Sequence, residues 1–179
     1  MSDPGRELID FYCDARPDNR GRFLREIQNW SDDELERTHD YIQRLFPLDE
    51  PSGFNLGAPI LNAYTTNRFR SDADLRRRMQ TSLARMLAFY GLEMRATVPL
   101  SVDRADSFAE RAENWLTPSN HNHLRISRIL KSLFLLGLED QAGAVFRYLE
   151  VLYKNESVTP HPRISLETFS YWRSAANAD

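Results

Sequence analysis

Cysteine is all but missing from this chain of 179 residues. Cys13 stands alone, so no internal disulfide can form, a disulfide framework is excluded, and a reducing, cytoplasmic setting is expected. Lysine is nearly as scarce. Of 23 basic residues only Lys131 and Lys154 are lysines, an arginine bias that fits a GC-rich genome as readily as a need for bidentate contacts. With 7 glycines and 9 prolines the chain is neither low-complexity nor collagen-like. No run reaches the ~18 apolar residues of a membrane span. Met1 to Arg6 is polar and leads into an amphipathic segment, so no signal-peptide core is expected. Positive charge is not in excess either: the net charge is −3, which gives no global field to gather nucleic acid. Also absent are a Gly-rich phosphate loop, a Gly-x-Ser-x-Gly elbow and a Cys/His nucleophile pair. Neither a cofactor nor an enzymatic activity is therefore expected.

What is present is helical periodicity almost throughout. At 41% hydrophobic and 27% charged, the chain has the composition of a globule able to bury a core. Apolar residues recur at three and four over about residues 4–13, 22–30, 31–46, 62–69, 71–90, 105–116, 121–136, 139–153 and 166–175. Ser31-Asp32-Asp33-Glu34 is a capping box: hydroxyl and carboxylate satisfy orphan backbone donors reciprocally. Leu35, Ile42, Leu45 and Phe46 follow as one stripe, which Pro47 ends. Gly91 fits a left-handed position after its helix, and Gly137 ends the helix that starts near His121. Pro17-Asp18-Asn19 reads as a turn, and 92–102, around Pro99, is the only stretch where a strand is expected. Residues 47–62 carry prolines and glycines together with Leu48, Phe54, Leu56, Ile60 and Leu61, so a packed proline-rich loop is predicted. The expected fold is all-α, a single-domain helical bundle of about seven to nine helices over residues 1–179, with its core over about 8–175.

Three runs carry a family likeness. The first is His39-Asp40-Tyr41-Ile42-Gln43-Arg44-Leu45-Phe46-Pro47, followed by Ser52, Phe54-Asn55 and Ala58-Pro59. The second is Met86-Leu87-Ala88-Phe89-Tyr90-Gly91. The third is Asn114-Trp115-Leu116, then Asn120-His121-Asn122-His123-Leu124-Arg125-Ile126-Ser127-Arg128-Ile129-Leu130, closing with Leu136-Gly137-Leu138. In this order they resemble the conserved region of the opioid growth factor receptor family, over about residues 8–175. The resemblance implies a relation to animal receptors that bind a short enkephalin peptide and restrain growth at the nucleus, and that carry long additional regions. This chain departs from the family where Arg44 stands in place of the usual Trp, a position expected to be exposed. Enkephalin binding is therefore not carried over.

The candidate site residues lie on two segments. His39, close to the inward stripe, is expected to be half-buried, either bonded to a backbone or carboxylate group or acting as a general base. Asp40 lies too far around the helix to form a dyad with it. In residues 121–136, Ile126, Ile129, Leu130, Leu133 and Leu136 make one apolar face, and Leu124 and Leu135 a second. Between them run His121, Arg125, Arg128 and Ser132, expected to be half-buried. Buried guanidinium groups must be paired. Arg125 and Arg128 therefore either meet carboxylates such as Glu34, Glu36 or Asp40, or line a cleft for an anion, with Asn120 and Asn122 adding donors at the helix start. Gln43 and Asn55 complete that candidate ligand set. The favoured reading is a binding module for a peptide terminus or small anion. One alternative is an enzyme using His39 or His121 with an arginine anion clamp. The other is a nucleic-acid-associated protein acting through Arg68, Arg70, Arg76, Arg77 and Arg78. Nucleic acid is not the expected partner, because interleaved stacking aromatics are missing there. His121 and His123 lie about 200° apart on a helix, the wrong spacing for a metal pair.

Overall fold

Local signals in the chain place several of the helix boundaries. In the computed structural model, which describes residues 4–53 and 55–176, Ser31 caps a short helix: its Oγ accepts the Glu34 N–H at 3.3 Å while the Glu34 carboxylate accepts the Ser31 N–H at 2.8 Å. Asn62 does the same through Thr65 N–H, at 2.9 Å, and Ser165 through Thr168 N–H, at 3.0 Å. Among the described residues ten helices result: α1 Pro4–Tyr12, α2 Leu24–Gln28, α3 Asp32–Arg37, α4 Ile42–Leu45, α5 Ala63–Ser71, α6 Ala73–Phe89, α7 Phe108–Trp115, α8 His121–Leu135, α9 Glu139–Ser157 and α10 Leu166–Ala175. A single antiparallel hairpin, β1 Leu92–Arg95 and β2 Ser101–Arg104, pairs Leu92 with Arg104 and Arg95 with Ser101. The fold is thus mostly helical; β1 falls within the 92–102 stretch where a strand is expected, and β2 runs two residues past it.

The described residues group into two compact units. The first holds those up to Arg85 together with Leu135–Gly137, and the second holds Met86–Phe134 and those from Leu138 onward. The core of the first unit contains Leu8, Phe11, Tyr12, Leu24, Ile27, Leu35, Tyr41, Leu45, Phe46 and Phe69, all essentially without solvent exposure. The Tyr12 ring stands edge-on to Phe69 at 4.7 Å, and its hydroxyl donates to the Leu45 carbonyl. Arg85 fastens α6 to the α2–α3 connection: its Nη2 donates to the Trp30 carbonyl at 2.8 Å and to Asp32 Oδ1 at 2.7 Å.

In the second unit, Trp115 Nε1 donates to the Tyr90 carbonyl at 3.0 Å, and Trp172 Nε1 to the His123 carbonyl, also at 3.0 Å. Both indoles are fully buried. Gly91 adopts φ +72°, and a Cβ there would lie 2.6 Å from the Phe108 Cα. Only glycine permits both the left-handed turn out of α6 and the close passage of α7. Phe169 of α10 stacks on Tyr153 of α9 at 4.1 Å with nearly parallel rings. Arg163 closes the connection between them by donating from Nε to Glu156 Oε2 at 2.8 Å.

Three local expectations need correction. The helix expected over 31–46 is broken: Thr38 is extended, and four non-helical residues separate α3 from α4. There Asp40 accepts from Arg20 at 2.8 Å and from Arg22 at 2.8 Å, and Tyr41 turns fully inward. Four residues are close to one helical turn, so the apolar pattern stays in phase across the break and does not betray it. In the 47–62 loop, Leu48 and Leu61 are buried, and a bridge joins Leu48 to Ile60. Leu56, however, is 97% exposed and Ile60 partly so, because a hydrogen-bonded turn from Asn55 to Ala58 lifts the loop tip. Phe54, the other apolar residue expected to anchor this loop, lies outside the described residues. Finally, α9 runs four residues beyond the expected Tyr153, to Ser157.

Candidate functional site

Helix α8 begins with a polar clasp. Asn120, just before it, donates from its side-chain amide to the Asn114 carbonyl at 2.9 Å and to Thr117 Oγ1 at 2.8 Å. Its Oδ1 accepts the Asn122 N–H at 2.9 Å, and its carbonyl accepts the His123 N–H at 3.0 Å. The first-turn donor of Asn122 is thus already satisfied within the chain. Asn122 is fully buried, Arg125 is 5% exposed, and Arg125 Nη1 donates to Asn122 Oδ1 at 3.1 Å. A buried guanidinium held against a buried amide in this way fixes the first turns of the helix.

The expected apolar face of α8 is in place, with Ile126, Ile129, Leu130, Leu133 and Leu136 all buried. The second apolar strip is not. Leu124 is 54% exposed and Leu135 is half-buried, so α8 has one buried apolar face and not two. His121 and Leu124 face outward and Arg128 is half-buried. Spaced by three and four residues, these side chains run along one side of the helix. Ser132, from the same polar stripe, is buried.

His123, which is outside the candidate ligand set, lies deep in the second unit. Its ring stands edge-on to Trp172 at 5.5 Å, and its Nε2 is buried without a hydrogen-bond partner among the described residues. Burial, aided by nearby His121, pushes the imidazole below the usual histidine range, although a hydrogen bond to the Trp115 backbone opposes the shift. Its signal was weak, since a histidine at i+2 from another shares no helical face with it.

In the first unit, His39 is exposed, not half-buried as expected, because it sits in the turn between α3 and α4 and not on a helix face. Its neighbour Asp40 is engaged by Arg20 and Arg22. Gln43 is 5% exposed, and its Oε1 has no hydrogen-bond partner among the described residues. Asn55 Oδ1 accepts the Gly57 N–H at 3.1 Å and shapes the loop tip. Arg44 is not the exposed residue expected. It is half-buried, its guanidinium lies 5.8 Å from the Phe11 ring centre, and burial lowers its pKa. The position packs on an aromatic of the core, a place an indole could occupy equally well.

The arginine cluster at 68–78 is locally engaged. Arg68 pairs with Asp72 at 2.9 Å, Arg77 with Asp74 at 2.8 Å and Arg78 with Asp14 at 3.1 Å. Arg76 donates to the Phe69 carbonyl at 3.1 Å and Arg70 to the Leu135 carbonyl at 3.2 Å. Such a face suits a solvated, self-paired helix surface better than a row of phosphate contacts. No cluster of three His, Cys, Asp or Glu able to hold a metal occurs among the described residues. None of the described helices is long and apolar enough to cross a membrane.

The sequence matches the family described as the opioid growth factor receptor conserved region over residues 8–176. It is 38% identical over 150 residues to the opioid growth factor receptor of Mus musculus, covering 82% of this chain and 23% of that protein. Against the receptor of Homo sapiens it is 40% identical over 141 residues, covering 76% of this chain and 20% of the receptor. Opioid growth factor receptor-like protein 1 of Xenopus tropicalis is 41% identical over 160 residues, covering 87% and 30%. The chain therefore spans less than a third of the length of these curated relatives. No solved structure matches it.

Proposed function

The chain belongs to the opioid growth factor receptor conserved-region family, and from that premise we propose that it is a non-enzymatic cytoplasmic binding module. Its ligand is a peptide terminus or another small anion received along the outer side of α8. The observation that carries this reading is the strip of His121, Leu124 and Arg128, two basic groups flanking an exposed apolar one, running from the first residue to the middle of a 15-residue helix. A carboxylate meets favourable charge there from the guanidinium and from the helix dipole, while the leucine accepts an apolar neighbour. Arg125 and Asn122 lie beneath and hold the turn that presents the strip. The relatives are named as receptors, which supports binding over catalysis as the role. The opioid growth factor in their names is not the ligand proposed here, since the chain spans less than a third of those relatives' length.

The test combines stability with ligand shift. Arg128→Ala should fold with a loss below about 1 kcal/mol, as expected for a half-exposed charge. Arg125→Ala should lose about 1–3 kcal/mol by removing a buried hydrogen bond to Asn122. Acetate, inorganic phosphate or short free-acid peptides should raise the melting temperature of the wild type, because a ligand that binds only the folded form stabilises it. Arg128→Ala should abolish that rise. The reading fails if none of these anions shifts the wild type, or if Arg128→Ala responds as the wild type does.

A further inference from the structure

Where α9 packs on β2 in the second unit, an open groove of about 500 Å³ follows the seam between them. We propose that this groove takes an elongated dianion: a small molecule with a carboxylate at each end and an apolar middle, held between Arg147 and Arg104. The ligand lies over the seam and displaces no contact between strand and helix. This site is distinct from the α8 strip and does not rest on that reading.

The packing of the seam fixes where each arginine stands. Val102 of β2 and Ala144 of α9 are buried and form the floor. Arg147 donates from Nη2 to the Leu100 carbonyl at 2.7 Å, one residue before β2 begins. Arg104 is the last residue of β2, and its Nε lies 3.4 Å from Tyr148 Oη. Farther along α9, the Glu156 carboxyl is held below its usual range by Arg163 first and by the Arg104 charge as well. Strand and helix therefore advance together, from Leu100 beside Arg147 to Arg104 on the Glu156 side. Four strand steps of about 3.3 Å separate Leu100 from Arg104 by about 13 Å. The two guanidinium groups thus mark opposite ends of the groove.

Both cations have capacity left. Arg104 is steadied by the Phe108 ring, whose centre lies 4.3 Å from its guanidinium, and Arg147 commits one donor to Leu100. Neither forms an ion pair with a carboxylate among the described residues, so each keeps further N–H donors for an anion. The acids nearby are already engaged, Asp103 by Arg95 at 3.3 Å and Glu156 by Arg163 Nε at 2.8 Å. Between the two arginines the groove offers apolar surface at its rim, where Val151 is 57% exposed. Apolar walls with a few placed charges are the usual form of a small-molecule site.

Length then becomes the specificity. A saturated dicarboxylate of about ten carbons reaches nearly from one end of β2 to the other. A much shorter one meets a single arginine, and a monocarboxylate leaves one arginine without an anion.

The experiment is isothermal titration calorimetry with adipate, suberate and sebacate, in order of increasing length, and with decanoate as the singly charged control. Affinity should rise by about tenfold or more from adipate to sebacate, and decanoate should bind about tenfold more weakly than sebacate. Arg104→Gln and Arg147→Gln should each bind sebacate no better than the wild type binds decanoate. Val151→Glu leaves both arginines in place and sets a carboxylate at the exposed rim; it should abolish binding. Arg128→Ala should bind sebacate as the wild type does. The proposal is overturned if sebacate does not bind, or if adipate or decanoate binds as well as sebacate. It is equally overturned if either groove arginine can be replaced without loss, or if the loss appears in Arg128→Ala.

Discussion

Single residues in this chain are held chiefly by hydrogen bonds that their neighbours in sequence supply. Ser31 and Glu34 satisfy one another's backbone donors at the start of α3, and Asp18 shows the same economy on a larger scale. Its side chain is fully buried and accepts the N–H groups of Arg20 and Arg22 at 2.8 and 2.9 Å, together with the Arg22 guanidinium at 2.7 Å. Burial alone would raise its pKa, but these donors outweigh it and hold the carboxyl below its usual range. Ser31→Ala should cost on the order of 1 kcal/mol, the usual loss of an N-cap hydroxyl. Chemical denaturation of the variant against the wild type measures it, and a loss under about 0.3 kcal/mol would mean the cap is not what starts α3. Both features were legible in the sequence because a cap and a turn are local. Four letters, Ser31 to Glu34, contain the whole cap, and Pro17 to Asn19 marks the turn, but the donors that Asp18 accepts come from Arg20 and Arg22 just beyond it. The partner of Asp40 was not legible in this way, since Arg20 and Arg22 lie some twenty residues upstream and meet it only once the chain has folded back.

Elements followed the same division. Nine helices could be read from periodicity, and the tenth arises only because 31–46 divides at Thr38 with the apolar phase preserved. The capped starts at Ser31 and Asn62 and the glycine stops at Gly91 and Gly137 lie where the sequence puts them, while the Ser165 cap is seen only in the structure. The outward turn of Leu56 and Leu124 could not be read, because exposed apolar residues are ordinary on protein surfaces and periodicity assigns them to a face without saying what covers it. The polar stripe of α8 was legible as a stripe. Which of its members are buried depends on the packing around them, and so Arg125 is enclosed while His121 is not. The α6–β1 junction makes the strongest demand on a single side chain. Gly91→Ala should destabilise the fold by more than about 2 kcal/mol, since the left-handed conformation alone costs an L-residue about 1–2 kcal/mol and the added methyl meets the α7 backbone. Thermal unfolding would register this as a large drop in melting temperature; an unchanged value would show that α7 moves away at no cost.

For the whole molecule, the consequence of its buried histidine is a dependence of stability on acidity. His123 is held neutral inside the second unit, its pKa lowered by burial. In the unfolded chain it titrates near ~6.5, so below that value the unfolded state binds the proton more readily than the folded one. Its contribution is therefore complete above the unfolded pKa and is lost as pH falls through and below it. The unfolding free energy should decline between about pH 7 and pH 5, and His123→Gln should flatten that slope. Equal slopes in variant and wild type would assign the acid response to other groups.

The placement of the indoles has an optical consequence. Trp30 sits half-buried in the first unit, with the Arg22 guanidinium 5.5 Å from its ring centre, while Trp115 and Trp172 are sealed in the second. Light emitted by the chain is thus a blend of one partly hydrated fluorophore and two dry ones. Trp30→Phe would leave emission from the second unit alone, and the difference from the parent spectrum would belong to the first. The loss of each unit during denaturation could then be followed separately by colour, with no dye attached.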